Sequence, residues 1–382
     1  MKLQQFMKEL DKSEQASLEN PQLQVKKKAF FQNRLVEMDE SALSLEEGEI
    51  LLKVDQFAYT ANNITYAVAG DMIGYWQFFP PQGNDKDGWG VIPVWGFAEV
   101  TESRHGAIPV GERLFGYFPP ARFLKMLPDR ISEQRFLDAS EHRSKLPSGY
   151  NYYTRVQHEK GYNPAYDRER MLLTPLHLTS FCLWDALQDK DWYGAEQILV
   201  LSASSKTSIG LGYALEADEK APKTIGLTSA RNLEMVKGLE IYDESTSYDA
   251  VESLDLTKAT VIVDMSGNSS LLVKLHSLLG DQMKFTINVG LTHWTDALPQ
   301  KGIIKERSEF FFAPGHIQKR MKEWGPAGFE AKTSSFMRET AAKTKEWLTF
   351  KEIDGLEELA KIHPAVCEGK IPPSEGLIVK LK

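Results

Sequence analysis

The chain has 382 residues, 42% of them apolar, and carries a formal net charge of −8 at neutral pH. That length exceeds one ordinary core, so two domains are expected. An acidic balance with no Lys/Arg-rich block weighs against nucleic acid as the main partner, and no stretch approaches the ~20 apolar residues needed to cross a bilayer.

The first twenty residues read as a polar helix or arm, without the apolar core of a secretion signal. The one basic run, Lys26-Lys27-Lys28, leads into strand-like Ala29-Phe30-Phe31 and reads as a solvated strand start. Short β-like runs at 28–35, 49–59, 97–102 and 113–118 follow, separated by Gly48, Gly70, Gly96, Gly106 and Gly111. They predict a compact, barrel-like β domain. Between Gly74 and Gly90 lies a long loop rich in Trp, Phe, Pro and Gly, of the kind that carries function or is covered by a partner. Residues 123–170 are charged and punctuated by tyrosines, and read as an insertion packed over a domain junction.

From Met171 the texture becomes α/β. Apolar periodicity predicts a helix at 176–188, then strand 196–201, helix 206–217, strand 223–228, helix 232–238, strand 260–264, helix 269–279 and strand 283–289. A strand at 307–312, helices at 314–324, 335–348 and 354–367, and a final strand at 376–381 complete the chain.

The strand at 196–201 runs straight into Ser202-Ala203-Ser204-Ser205-Lys206-Thr207-Ser208-Ile209-Gly210-Leu211-Gly212. Small residues between a strand and a helix let a pyrophosphate approach backbone amides at the helix N-terminus. The usual first glycines are absent, and Ser204, Ser205, Lys206, Thr207 and Ser208 are the candidate phosphate contacts. A plain strand-to-helix connection is the alternative. The second strand ends in Thr228-Ser229-Ala230-Arg231. A carboxylate there would accept bonds from ribose hydroxyls, whereas hydroxyls and a guanidinium suit a 2′-phosphate, so Ser229 and Arg231 point to NADP(H). Arg231 read blandly is a solvated helix-start residue. Ser266 with Gly267, and Val289 with Gly290, end two further strands facing the same crevice, where the glycines otherwise serve as turn residues. Tyr248 is placed where its ring would lie near the adenine.

Other chemistries lack their patterns. The eight histidines show no H-E-x-x-H or H-x-H spacing, and Cys182 and Cys367 form no C-x-x-C pair. No metal site is expected, and two isolated thiols fit a reduced cytoplasmic setting. There is no G-x-S-x-G elbow, no G-x-x-x-x-G-K-[ST] loop and no Tyr-x-x-x-Lys pair after the nucleotide unit. Acid–base work falls to tyrosines, hydroxyls and amides.

The order of parts resembles the medium-chain dehydrogenase/reductase superfamily, in particular a divergent subgroup of its zinc-free, quinone-oxidoreductase-like branch. Leu45–Val54 resembles the turn into that family's first long barrel strand, and Pro93–Val100 its glycine-centred strand. Val110–Gly116 is similar to its Gly-Asp-x-Val turn with Glu112 for Asp, Leu178–Phe181 to the domain-joining helix, and Thr228–Lys237 to the cofactor-selecting segment. Ala58-Tyr59-Thr60 and Val94-Trp95-Gly96 stand where zinc members carry their ligands.

The resemblance implies an α/β protein: a Rossmann-type doubly wound parallel sheet over 172–327, and a GroES-like β-barrel formed by 1–171, with its 123–170 insertion, together with the returning 328–382. It implies an NADPH-dependent, zinc-independent reductase passing hydride to a quinone, enone or other carbonyl compound, and a homodimer. In zinc-free members, polar side chains of the early barrel segment orient the carbonyl. Here that stretch offers Tyr59 or Tyr66 as proton donor and Asn62 or Asn63 as carbonyl hydrogen-bond donor, with barrel packing as the alternative for the tyrosines. A non-catalytic NADPH-binding sensor or scaffold is the rival reading.

Overall fold

The computed structural model describes residues 18–83, 86–289 and 301–382. Residues 1–17 and Gly290 lie outside the described residues.

The central apolar runs after Met171, Gln197–Leu201, Lys223–Thr228 and Thr260–Asp264, form a parallel sheet because each is short, buried and followed by a helical crossover. Gln197–Leu201 and Thr260–Asp264 are buried at every position. The spatial order is Glu244–Ser247, Lys223–Thr228, Gln197–Leu201, Thr260–Asp264, Met283–Asn288, Ser308–Phe310, with all neighbours parallel. Numbered along the chain this is 3-2-1-4-5-6, the doubly wound order. The connection reverses direction between Gln197–Leu201 and Thr260–Asp264. In sheets of this order ligands bind at that reversal, beyond the carboxyl ends of the strands.

Three helical segments depart from the periodicity. A helix at Ala61–Val68 appears where no helix is expected, opened by a capping box between Thr60 and Asn63. The joining helix begins at Asp167 and runs to Asp189, with Pro175 inside it, so the expected start at 176 is corrected. The helices expected at 314–324 and 335–348 are one run, Ala313–Thr344, bent at Gly325, whose φ of 72° and ψ of 161° leave the helical region just before Pro326.

The β half is built on Ile50–Tyr59, which pairs antiparallel with Val94–Ser103, Phe123–Met126 and Glu375–Lys380. Leu377 lies opposite Tyr59. The C-terminal strand thus returns to the first β segment. Its sheet continues through Arg113–Phe118, Tyr152–Arg155 and Arg135–Asp138, so the 123–170 segment adds strands instead of only packing over the junction. Among the described residues the expected barrel is not closed. The end strands, Thr349–Asp354 and Pro128–Asp129, do not pair with each other, and Pro21–Lys26 with Ala29–Glu37 and Trp89–Gly90 forms a separate small sheet. Arg143, fully buried, fixes the insertion through Asp138, Asn151 and the Tyr153 hydroxyl. Among the described residues no helix is long and apolar enough to cross a membrane.

Candidate functional site

The turn beyond the first parallel strand begins at Ser202, whose φ of 59° lies in the left-handed region that glycine usually fills. Its amide donates to the Tyr248 hydroxyl at 3.0 Å. Ser205 is the N-cap of helix Lys206–Glu216, its Oγ accepting from the Ser208 amide at 3.1 Å. The amides at such a helix start have no intrahelical partner and carry the positive end of the helix dipole. Gly210 and Gly212 serve close packing. A Cβ on Gly210 would lie 2.6 Å from Ser180 Oγ and 2.7 Å from His177 Cδ2, and one on Gly212 would lie 2.8 Å from Ile241 Cδ1.

Ser204 joins this turn to the second strand. Its Oγ lies 3.1 Å from both Thr228 Oγ1 and Asn232 Nδ2. Ser208 is buried, its hydroxyl 3.0 Å from Met265 Sδ, so it packs the turn from within. Ser229 Oγ is buried and has no hydrogen-bond partner, an arrangement that costs free energy unless something else fills it. Arg231 is exposed beside it, with one long contact of 3.4 Å from Nη2 to the Gly369 carbonyl. Lys206 is placed differently from expectation. Its ammonium donates to the carbonyls of Pro373 and Glu375, both at 2.8 Å, and not into the crevice. Thr207 contributes its carbonyl, which accepts from Ser180 Oγ at 2.7 Å.

The other strand ends are also arranged by polar contacts. Asp264 Oδ1 accepts from the Ser266 amide, the Ser266 hydroxyl and the Gly267 amide, which bends the chain into a turn with Gly267 at φ 62°. Val289 is buried, its amide bonded to the Asp264 carbonyl at 2.7 Å.

A cleft lies between the two halves. Ala58, Thr60, Asn62, Asn63 and Trp95 line one side, and Met171, Leu172 and Pro175 of the joining helix the other. It has about 10 Å³ of open space, the room of a single water. Asn62 is half-buried there, while Asn63 is buried and committed. Asn63 Oδ1 accepts from the Thr60 amide at 2.8 Å, and its Nδ2 donates to the Pro93 carbonyl at 2.9 Å. Asn63 therefore positions the cleft and is not assigned a bond to a substrate carbonyl.

The two tyrosines differ as well. Tyr59 is 1% exposed, and its hydroxyl is held by His363 Nδ1 at 2.8 Å, inside the β core. Tyr66 accepts from the Trp95 indole at 3.2 Å, in a nest of rings that includes Tyr75 and Tyr117. Burial raises the pKa of both phenols well above its ordinary value, so both remain protonated. Trp95 and Pro175, which line the cleft, were not singled out as site residues from sequence. The capping signal Thr60-x-x-Asn63 would have located the helix that carries Asn62. Among the described residues no group of three or more His, Cys, Asp or Glu is gathered as a metal site requires.

The chain belongs to the family described as protein of unknown function (DUF2855), whose model matches residues 57–372. No curated protein matches the sequence. Among solved structures, it is similar to CurA in complex with NADPH from Vibrio vulnificus, at 15% identity over 92% of this chain and 94% of that one, with a TM-score of 0.59. It is also similar to mycobacterial Rv1454c complexed with NADPH, at 12% identity over 94% and 99% of the two chains and a TM-score of 0.55. The CurK enoyl reductase aligns at 12% identity over 95% and 99%, with a TM-score of 0.51. These likenesses establish a shared fold across both halves of the molecule.

Proposed function

We propose that this protein is an NADPH-dependent, zinc-independent reductase that passes hydride to a conjugated carbonyl compound such as an enone or a quinone. The observation that carries the reading is the buried, partnerless Ser229 hydroxyl beside the exposed Arg231, at the end of the second strand of a 3-2-1-4-5-6 sheet. An anion there would satisfy the orphaned hydroxyl and pair with the guanidinium. The presence of NADPH in CurA and in the mycobacterial structure supports the same cofactor.

In this reading the start of helix Lys206–Glu216 holds the pyrophosphate with its free amides, and Ser202 and Gly267 let backbone come close. Ser229 and Arg231 hold the 2′-phosphate. Bound NADPH supplies the hydride from its nicotinamide ring. Asn62 orients the substrate carbonyl from the cleft wall, and Trp95 presents a flat face to a conjugated system. Tyr66 keeps its proton and, beside Trp95 and Asn62, steadies the polar end of the site. Tyr59, locked to His363, supports the sheet and is not assigned proton donation. Excluding water and fixing donor against acceptor supply the rate acceleration.

The cleft's small volume favours one competing reading, a protein that binds NADPH as a sensor or scaffold without turnover. Following loss of NADPH absorbance with quinones, enones and aldehydes separates the two. Turnover of at least one class supports the reductase, and tight cofactor binding with none turned over contradicts it. The sheet edge at Ser308–Phe310, with Phe310 and Phe312 exposed, is the surface we assign to pairing with a second copy.

A further inference from the structure

We propose that Lys206 is a positioning residue that couples the nucleotide turn to the substrate cleft, holding the cleft wall from the first turn of the helix that cradles the dinucleotide. The inference rests on the NADPH reading above and goes beyond it in assigning how cofactor and cleft communicate.

Lys206 opens helix Lys206–Glu216, yet its side chain leaves the nucleotide half and ends on the carbonyls of Pro373 and Glu375 at 2.8 Å each. Those carbonyls flank the turn that starts the C-terminal strand, where the Glu375 amide bonds back to the Pro372 carbonyl at 2.9 Å. Two residues on, Leu377 pairs with Tyr59, immediately ahead of the cleft residues Thr60 and Asn62. Between them, Gly376 packs so tightly that a Cβ would lie 2.9 Å from Cδ2 of Leu172, on the opposite cleft wall. The segment gripped by Lys206 therefore adjoins both sides of the cleft, through the pairing of Ile378 with the lining residue Ala58 and through Leu172.

The same first turn grips the joining helix. Ser180 Oγ donates to the Thr207 carbonyl at 2.7 Å, on the helix that carries Met171, Leu172 and Pro175. A movement of the turn as it takes up pyrophosphate is thus passed by hydrogen bonds to the start of the C-terminal strand and to the joining helix, and through these to the two walls. Hydrogen bonds from a charged donor are the strong ones and hold their geometry. A cleft with room for one water must part its walls to admit a substrate, and Lys206 sets where they rest. Burial pulls the Lys206 pKa down to about 8 while Glu375 opposes the shift, a cost that an uninvolved surface lysine would not bear.

The test is hydrogen–deuterium exchange on the full chain, with and without NADPH, for the wild type, Lys206→Met and Lys206→Arg, beside calorimetric NADPH affinities. NADPH is expected to slow exchange across 374–380 in the wild type by about tenfold, the scale of strong hydrogen bonds acting on local opening. Lys206→Met is expected to bind NADPH within a few-fold of the wild type but to lose that slowing, and to raise KM for the carbonyl substrate more than it lowers kcat. Lys206→Arg, which keeps donors for both carbonyls, is expected to restore the slowing. Equal slowing in Lys206→Met and wild type overturns the coupling. If the Met variant does not fold, the wild type decides alone: NADPH bound without slowing at 374–380 overturns it. Absence of NADPH binding by the wild type instead overturns the cofactor reading, and the coupling with it.

Discussion

The Tyr248 hydroxyl accepts the amide proton of Ser202 at 3.0 Å, at the point where Ser202 holds a left-handed φ of 59°. A serine replaces glycine in this turn because the tyrosine anchors its amide in the strained conformation. Ser202→Gly is expected to stabilise the fold by about 1 kcal/mol or less, since the left-handed penalty disappears while chain entropy of the unfolded state rises. Tyr248→Phe removes the acceptor and is expected to destabilise by about 1 kcal/mol. Urea unfolding of both variants checks the pair.

Ser229 and Arg231 form the test of cofactor choice. Arg231→Ala is expected to weaken NADPH binding by about tenfold or more and leave NADH binding unchanged, because a charge-assisted contact to a 2′-phosphate is lost. Ser229→Ala is expected to weaken NADPH less and to leave the cofactor-free fold as stable as before or slightly more so, since its Oγ has no partner to lose. Fluorescence titration with both cofactors provides the measurement.

Two adjacent asparagines have opposite fates. Asn63→Ala removes the capping interaction with Thr60 and the bond to Pro93, and is expected to cost about 2 kcal/mol in thermal or urea unfolding. Asn62→Ala is expected to leave stability within about 0.5 kcal/mol, as a half-buried side chain outside the capping pair should. In the proposed reaction it lowers kcat/KM for the carbonyl substrate. Equal stability losses in the two variants would contradict the division.

Two buried histidines contribute to the pH dependence of stability. Burial pushes His177 down to about 3 and His276 down to about 4. In the unfolded chain both return to about 6.5, so below that pH the unfolded state binds the extra protons. Their neutral forms are compatible with full stability above about pH 6.5, and stability falls as the pH drops toward the folded values. His177 alone contributes a loss on the order of 2 kcal/mol between about pH 6.5 and about pH 5. His177→Gln, which cannot titrate, is expected to flatten the slope of stability against pH, and an unchanged slope would count against the assignment.

The centre of the parallel sheet was legible because its strands are short apolar runs closed by polar turns, whereas Glu244–Ser247, polar and only part-buried, offered no such pattern. Lys223–Thr228 and Thr260–Asp264 fall where the pattern places them, as does helix Ser269–Leu279. The joining helix begins nine residues before its expected start at 176, because it continues back past Pro175 to Asp167 through charged residues that carry no apolar period. The helix carrying Asn62 was hidden because Thr60-x-x-Asn63 is a less familiar capping pair than one closed by Glu or Gln. The site was legible in its local parts, the Ser202–Ser208 turn and the Ser229–Arg231 strand end. What joins them was not. Lys206 reaches carbonyls 167 and 169 residues away, and Tyr59 meets a histidine 304 residues away. Backbone acceptors leave no signature in residue type, so pairings of this kind emerge only from the fold.

Calorimetric titration of the purified wild-type chain with NADPH and with NADH tests the central claim most directly. The account predicts saturable heat with NADPH and an affinity for it tighter than for NADH. No heat with either cofactor, or NADH bound more tightly than NADPH, would contradict it.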